Sequence, residues 1–223
     1  MMTDDTRQLI GRLVTNLTPV RPLPPPWSRT AAWCAVSLPV VGVIVFVMSA
    51  SAESAWVLVD RRVVVEQLAA LATGVTAAAA AFATTVPGCR RWIVLLPLVP
   101  LAVWLGDLGQ WCIQGGMASQ GLVVAHWGCL PATIVVGAFP VATIAIMLRQ
   151  GAPLTPRLTT VLAAVAAGGL GNFGVRFVHA ADASVVVLAW HFSAVFVLAL
   201  LSAAAGRSLF NWRQLADRSR AVA

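Results

Sequence analysis

Sulfur and imidazole offer the most chemistry in this chain. Cys112 and Cys129 stand seventeen positions apart, and His126 precedes Cys129 by three. On a helical turn that spacing puts imidazole and thiol on one side. His179 and Asp182 repeat the i, i+3 interval further along. Together these residues supply soft and borderline donors suited to zinc-, cadmium- or copper-type ions, so Cys112, Cys129, His126, His179 and Asp182 form a candidate metal set. The same spacing is compatible with three states: a disulfide, worth roughly 3 kcal/mol for a loop of about seventeen residues in the chain-entropy model; a redox or metal sensor; or two free thiols.

The other reactive groups stand alone. Cys34 lies within an apolar run and reads as a small buried residue, and Cys89 beside Arg90 and Arg91 has no second thiol near it. Among the four cysteines there is no C-x-x-C pair and no zinc-finger spacing. His191, next to Trp190, is the only ionisable residue expected well inside a membrane span, and a polar group at that depth is a functional candidate by default. Gly169, Gly171 and Gly174 satisfy G-x-G-x-x-G, but inside an Ala-rich apolar run with no strand before it. A dinucleotide site is therefore rejected, and small residues at Ala164, Gly168, Gly171 and Gly174 are read as a close helix contact. No nucleophile with its base, no paired catalytic carboxylates and no phosphate loop occur, so enzymatic activity is not expected.

The elements that must position these groups are set by composition. A hydrophobic share of 59% with only 10% charged residues lies far from soluble domains, which carry roughly 25% charge. The chain is an integral membrane protein, and its net charge of +7 comes from arginines scattered between apolar runs, not from a nucleic-acid patch. Six apolar runs, at about 30–49, 64–85, 92–108, 130–148, 158–177 and 185–206, approach the ~20 residues that cross a bilayer. The third carries Pro97 and Pro100 and is expected to kink. An amino terminus in the cytoplasm puts twelve arginines inside and leaves Arg61, Arg62 and Arg176 outside, with Glu53, Asp60, Glu66, Asp107 and Asp182. On that reading both termini are cytoplasmic, and Cys112 and Cys129 face out, the former in a loop over 109–128. Ala50-Ser51-Ala52 mimics a cleavage site, but the first run is too long and its leader too proline-rich, so it is expected to be retained.

Before the first run lies a segment made for water. Leu9, Ile10, Leu13, Val14 and Leu17 fall at i, i+1, i+4, i+5 and i+8, an apolar stripe opposite Arg7, Gln8, Arg12 and Asn16. Asp5 with Gln8 resembles a capping box, and Pro19 ends the pattern. A helix of about 14 residues weakened by Gly11 folds fully only against a partner, either a protein or a lipid surface. Between it and the first run, the prolines from Pro19 to Pro26 make a stiff spacer. The division is therefore 1–28 for docking, 29–206 for the membrane body and 207–223 for a cytoplasmic tail.

An ordered set of residues then resembles a known family. It runs from Asp4-Asp5 through Leu9-Ile10, Arg12-Leu13 and Leu17 to Pro19-Val20-Arg21-Pro22-Leu23-Pro24. It continues with Val86-Pro87-Gly88, Arg90-Arg91-Trp92, Trp127-Gly128-Cys129, Arg149 with Gly151-Ala152-Pro153-Leu154, His179 with Asp182, and Trp190-His191. In these respects the chain is similar to the NrsF-like family of bacterial inner-membrane negative regulators of extracytoplasmic-function sigma factors. The resemblance implies an all-α polytopic protein, a six-transmembrane-helix bundle with a short cytoplasmic N-terminal amphipathic helix. It also implies that Leu9, Ile10, Leu13, Val14, Leu17, Val20, Arg21, Pro22 and Leu23 hold a sigma factor. Sensing of heavy-metal or oxidative stress is carried over onto Cys129, in its Trp-x-Cys context, and onto Cys112. The implied partners are the sigma factor and the bilayer, without direct nucleic-acid contact. No cofactor is implied beyond a transient heavy-metal ion. Two other classes compete: a small transporter or channel, which needs a polar path, and a membrane thiol oxidoreductase, which the missing C-x-x-C disfavours.

Overall fold

The computed structural model describes residues 4–15, 22–50, 61–111, 129–151, 153, 155–177 and 204. Among them every regular element is helical: α1 (Asp4–Thr15), α2 (Pro26–Ala50), α3 (Arg61–Ala83), a 3-10 turn (Arg91–Leu95), α4 (Leu98–Trp111), α5 (Cys129–Arg149) and α6 (Pro156–Val175). Three stretches are long and apolar enough to cross a bilayer, Pro26–Met48, Val63–Ala83 and Pro156–Val175, and Ile134–Arg149 is a shorter apolar helix. Among the described residues, three stretches are thus candidate spans, and α5 is 21 residues long overall. The third run is not one helix. Proline cannot donate to the preceding turn, and the chain passes from the 3-10 turn to α4 at Leu96 and Pro97. The sixth run lies outside the described residues, and so does the C-terminal tail.

The centre of the bundle is α3, and small side chains explain why. Ala77, Ala78, Ala80 and Ala81 are fully buried together with Phe82, and they pack with Trp33 of α2, Ile144 and Leu148 of α5, and Leu162, Ala166 and Leu170 of α6. Alanine keeps helix propensity high while letting backbones approach. The tightest crossing is α3 on α6. A Cβ built on Gly169 would lie 2.7 Å from the Gly74 amide nitrogen and 2.8 Å from the Ala70 carbonyl oxygen. No side chain fits there.

The glycine-rich stretch of α6 is accordingly a packing surface. A Cβ on Gly174 would meet Val41 of α2 at 2.6 Å and Val136 of α5 at 2.8 Å, and one on Gly171 would touch Gly137 of α5 at 3.5 Å. The expected contact row of Ala164, Gly168, Gly171 and Gly174 is corrected in one respect. Gly169, left out of it, makes the closest approach to another helix's backbone. Between α2 and α5, polar side chains hold the apolar surfaces in register: Trp33 Nε1 donates to the Pro140 carbonyl (3.2 Å) and Ser37 Oγ shares a hydrogen bond with Thr143 Oγ1 (3.2 Å).

Helix α1 stands apart from this body. It begins at Asp4, so Asp5, expected as the cap, falls within the first turn, where an acid still complements the helix dipole. Its last residue, Thr15, bonds back to the Gly11 and Arg12 carbonyls.

Candidate functional site

Three places in the molecule hold groups that a closed apolar bundle does not need. The first is α1. Leu9 and Val14 are 58% and 59% exposed, and Ile10 is exposed beside them, so the stripe is formed but covered by none of the described residues. Pro22 and Leu23 are exposed, in chain without regular secondary structure. Leu13 lies within α1, whereas Leu17, Val20 and Arg21 fall outside the described residues.

The second is where the proline spacer enters the body. Ser28 Oγ donates to the Pro25 carbonyl, and the backbone amides of Ser28 and Arg29 do the same, which starts α2 sharply. One turn in, Arg29 is only 4% exposed. Its guanidinium donates to Thr85 Oγ1 at 3.0 Å and to the Met147 carbonyl, and it lies 4.5 Å from the centre of the Phe82 ring. Thr85 Oγ1 in turn bonds the Phe82 carbonyl, and the neighbouring Thr84 Oγ1 meets Thr159 Oγ1 of α6 at 2.6 Å. Gly151 packs so tightly on Thr85 that a Cβ would come within 3.1 Å. Arg29 thus gathers the ends of α2, α3 and α5, and the threonines extend the clasp to α6. Hydrogen bonds from a charged donor are worth about 1.5–3 kcal/mol, and a desolvated cation–π contact about 2.

The third lies at the opposite end of α3. Glu66 and Arg176 are 6% and 7% exposed, and Arg176 Nε donates to Glu66 Oε2 at 3.4 Å. Asp107 of α4 is near enough for its charge to act on Glu66. One turn deeper, Trp104 packs on Ala69 and Ala70. Gln67 Nε2, Trp104 Nε1 and Asn172 Oδ1 are buried without a hydrogen-bond partner. Each such atom costs about 1–3 kcal/mol.

This third site adds a pairing to the topology. Glu66 and Arg176, both expected on the outer side, pair between α3 and the end of α6, because a charge in an apolar helix contact persists only with its counter-charge. Arg29, Glu66 and Arg176 entered the sequence reading only as topology residues, and the signal for their burial was slight: a charge at the edge of an apolar run.

The cysteine and histidine set is mostly beyond view. Cys129 is the first residue of α5, and α4 ends at Trp111, the residue before Cys112. Cys112, His126, His179, Asp182 and His191 lie outside the described residues. Among the described residues no group of three or more His, Cys, Asp or Glu side chains could hold a metal ion. Cys34 and Cys89 are free thiols, each half-buried, and Cys34 packs against the core as a small apolar residue would.

The described residues thus form a helical body with three segments long and apolar enough to cross a membrane, a charged pair buried within it, and an amphipathic helix whose Leu9, Ile10 and Val14 are exposed. The chain belongs to the NrsF family, described as negative regulator of sigma F, which matches residues 13–212. Membership makes it a negative regulator of a sigma factor, with that sigma factor as its partner. No curated protein and no solved structure matches it.

Proposed function

We infer that this protein is a six-span anti-sigma factor of the bacterial inner membrane that holds an extracytoplasmic-function sigma factor on the exposed stripe of α1. Residues 1–28 dock the sigma factor, 29–206 form the membrane body and 207–223 are a cytoplasmic tail. The observation that carries this reading is the exposed stripe of Leu9, Ile10 and Val14 on a helix that a proline-rich segment of sequence links to the body. A free helix of 12 residues is marginal in water and gains its full order from a partner. The positive-inside bias puts α1 and the Arg29 clasp in the cytoplasm, and the Glu66–Arg176 pair towards the periplasm.

Release is assigned to Cys112 and Cys129, by oxidation or by binding a heavy-metal ion with help from His126, His179 and Asp182. To move the bundle from one percent to ninety-nine percent released, the signal must prefer the releasing state by about 5.5 kcal/mol. The competing transporter reading gains one supporting feature, the buried ion pair. Below it, however, the fully buried alanines of α3 and the Gly74–Gly169 crossing leave no polar path among the described residues.

Two substitutions test the docking. Leu9→Asp with Val14→Asp changes exposed residues only, so the protein is expected to remain in the membrane while a sigma factor no longer co-purifies with it in detergent. Retention of the sigma factor by this variant would end the reading. For sensing, Cys112→Ser with Cys129→Ser is expected to abolish induction of sigma-dependent transcription by metal or oxidant. An unchanged response would remove the cysteines from the mechanism and leave the docking intact.

A further inference from the structure

Helix α3 touches all three of the features that matter for release. It runs from Arg61 to Ala83 without a proline, so it moves as a rod. Glu66 sits near one end, in the buried pair with Arg176 of α6. At the other end Phe82 lies under the Arg29 guanidinium, and Thr85 just beyond accepts from it. Gly74 stands eight residues from each of Glu66 and Phe82, about 12 Å either way at the helical rise. It is also the point where α3 and α6 are in backbone contact, since a Cβ on Gly169 would come within 2.7 Å of it.

We propose that α3 is a lever pivoting on the Gly74–Gly169 crossing, with Glu66–Arg176 as its outer latch and Arg29 as its inner load, so that opening the latch loosens the chain that carries the docking helix. The proposal rests on α1 being that docking helix.

Equal arms mean that a displacement at Glu66 appears with similar size, and opposite sense, at Phe82. The contacts at the two ends are suited to such a motion. At the inner end the guanidinium is held by a hydroxyl, a carbonyl and a ring face, all of which depend on where α3 ends. At the outer end the pair has further polar groups on the same helices. The charge of Asp107 on α4 acts on Glu66, and Gln67 Nε2, next in sequence to Glu66, Asn172 Oδ1, one turn before Arg176, and Trp104 Nε1 of α4 are buried without a hydrogen-bond partner. A second arrangement that pairs those atoms recovers what the present one leaves unsatisfied, which is the condition for a two-state element. The helices that supply its other parts lead directly to the reactive loops. Trp111 ends α4 next to Cys112, and Arg176 precedes His179 by three residues.

The test is a set of full-length variants expressed with the sigma factor and a sigma-dependent reporter, with the membrane content of each checked by immunoblot. Glu66→Gln and Arg176→Gln are each expected to raise the unstressed reporter at least tenfold, and the exchange Glu66→Arg with Arg176→Glu to bring it back towards the wild-type level. Arg29→Gln is expected to raise it likewise. Combining it with Glu66→Gln should add nothing, although the two sites lie far enough apart for independent effects to add. Asp107→Asn removes the opposing charge and should act in the other direction, lowering induction under stress several-fold, an effect that misfolding cannot imitate. If Glu66→Gln and Arg176→Gln are present in the membrane and both repress like wild type, the lever is wrong. Full additivity with Arg29→Gln, or an Asp107→Asn variant that derepresses, would overturn it equally. The Leu9→Asp, Val14→Asp variant separates this failure from that of the docking reading: if it too leaves repression intact, α1 is not the docking helix at all.

Discussion

The two ends of α3 are held by arginines in different ways. At one end Arg29 sits among a hydroxyl, a backbone carbonyl and an aromatic face, with no carboxylate among these contacts. At the other, Arg176 meets the carboxylate of Glu66, Asp107 acts on that carboxylate through its charge, and three buried polar atoms on the same three helices have no hydrogen-bond partner. The first arrangement distributes one charge over several weak acceptors and tolerates small shifts. The second concentrates opposite charges in a place where losing one of them is expensive. A membrane body that must both stay folded and change state benefits from having one of each.

The largest expected effect comes from breaking the charged end alone. Arg176→Leu leaves Glu66 buried without its counter-charge and should cost about 3–5 kcal/mol, whereas Glu66→Leu with Arg176→Leu should be near neutral or stabilising. Thermal unfolding in detergent distinguishes them, and equal losses in the single and double variants would contradict the buried pair. Next, Arg29→Ala should lower stability by about 3 kcal/mol through loss of its hydrogen bonds and its contact with Phe82. Phe82→Leu should retain part of that, and a melting temperature unmoved by Arg29→Ala would remove the clasp from the comparison. Smaller again is Gly169→Ala. The added carbon meets backbone that has nowhere to go, and about 1–3 kcal/mol is expected from overpacking, readable as a lowered midpoint in the same assay. Least of all, Leu9→Asp with Val14→Asp should leave the melting temperature within the range of exposed substitutions, about 0.5 kcal/mol, while eliminating sigma-factor co-purification.

Much of this was legible in the chain. The i, i+4 recurrence of apolar residues from Leu9 to Val14 specifies an amphipathic helix, because side-chain direction in a helix depends only on position along it. Pro97 specified a break in the third run for an equally local reason. The glycines of α6 were identified as contact points by composition, although which of them meets which helix was not. The pairing of the charged residues was not legible: Glu66 and Arg176 are separated by more than a hundred positions, and no local pattern says that each is the reason the other can be buried.

What the sequence by itself determined is therefore the set of one-dimensional properties: that the chain is too apolar for water, where its helices begin to form, and that one helix near the amino end has a face the body does not use. Only the tertiary structure decided that Arg29, Glu66 and Arg176 are interior groups and that Gly74 and Gly169 are the crossing point. Burial of a charge and approach of two backbones depend on distances between segments remote in sequence, and those distances exist only once the helices have packed.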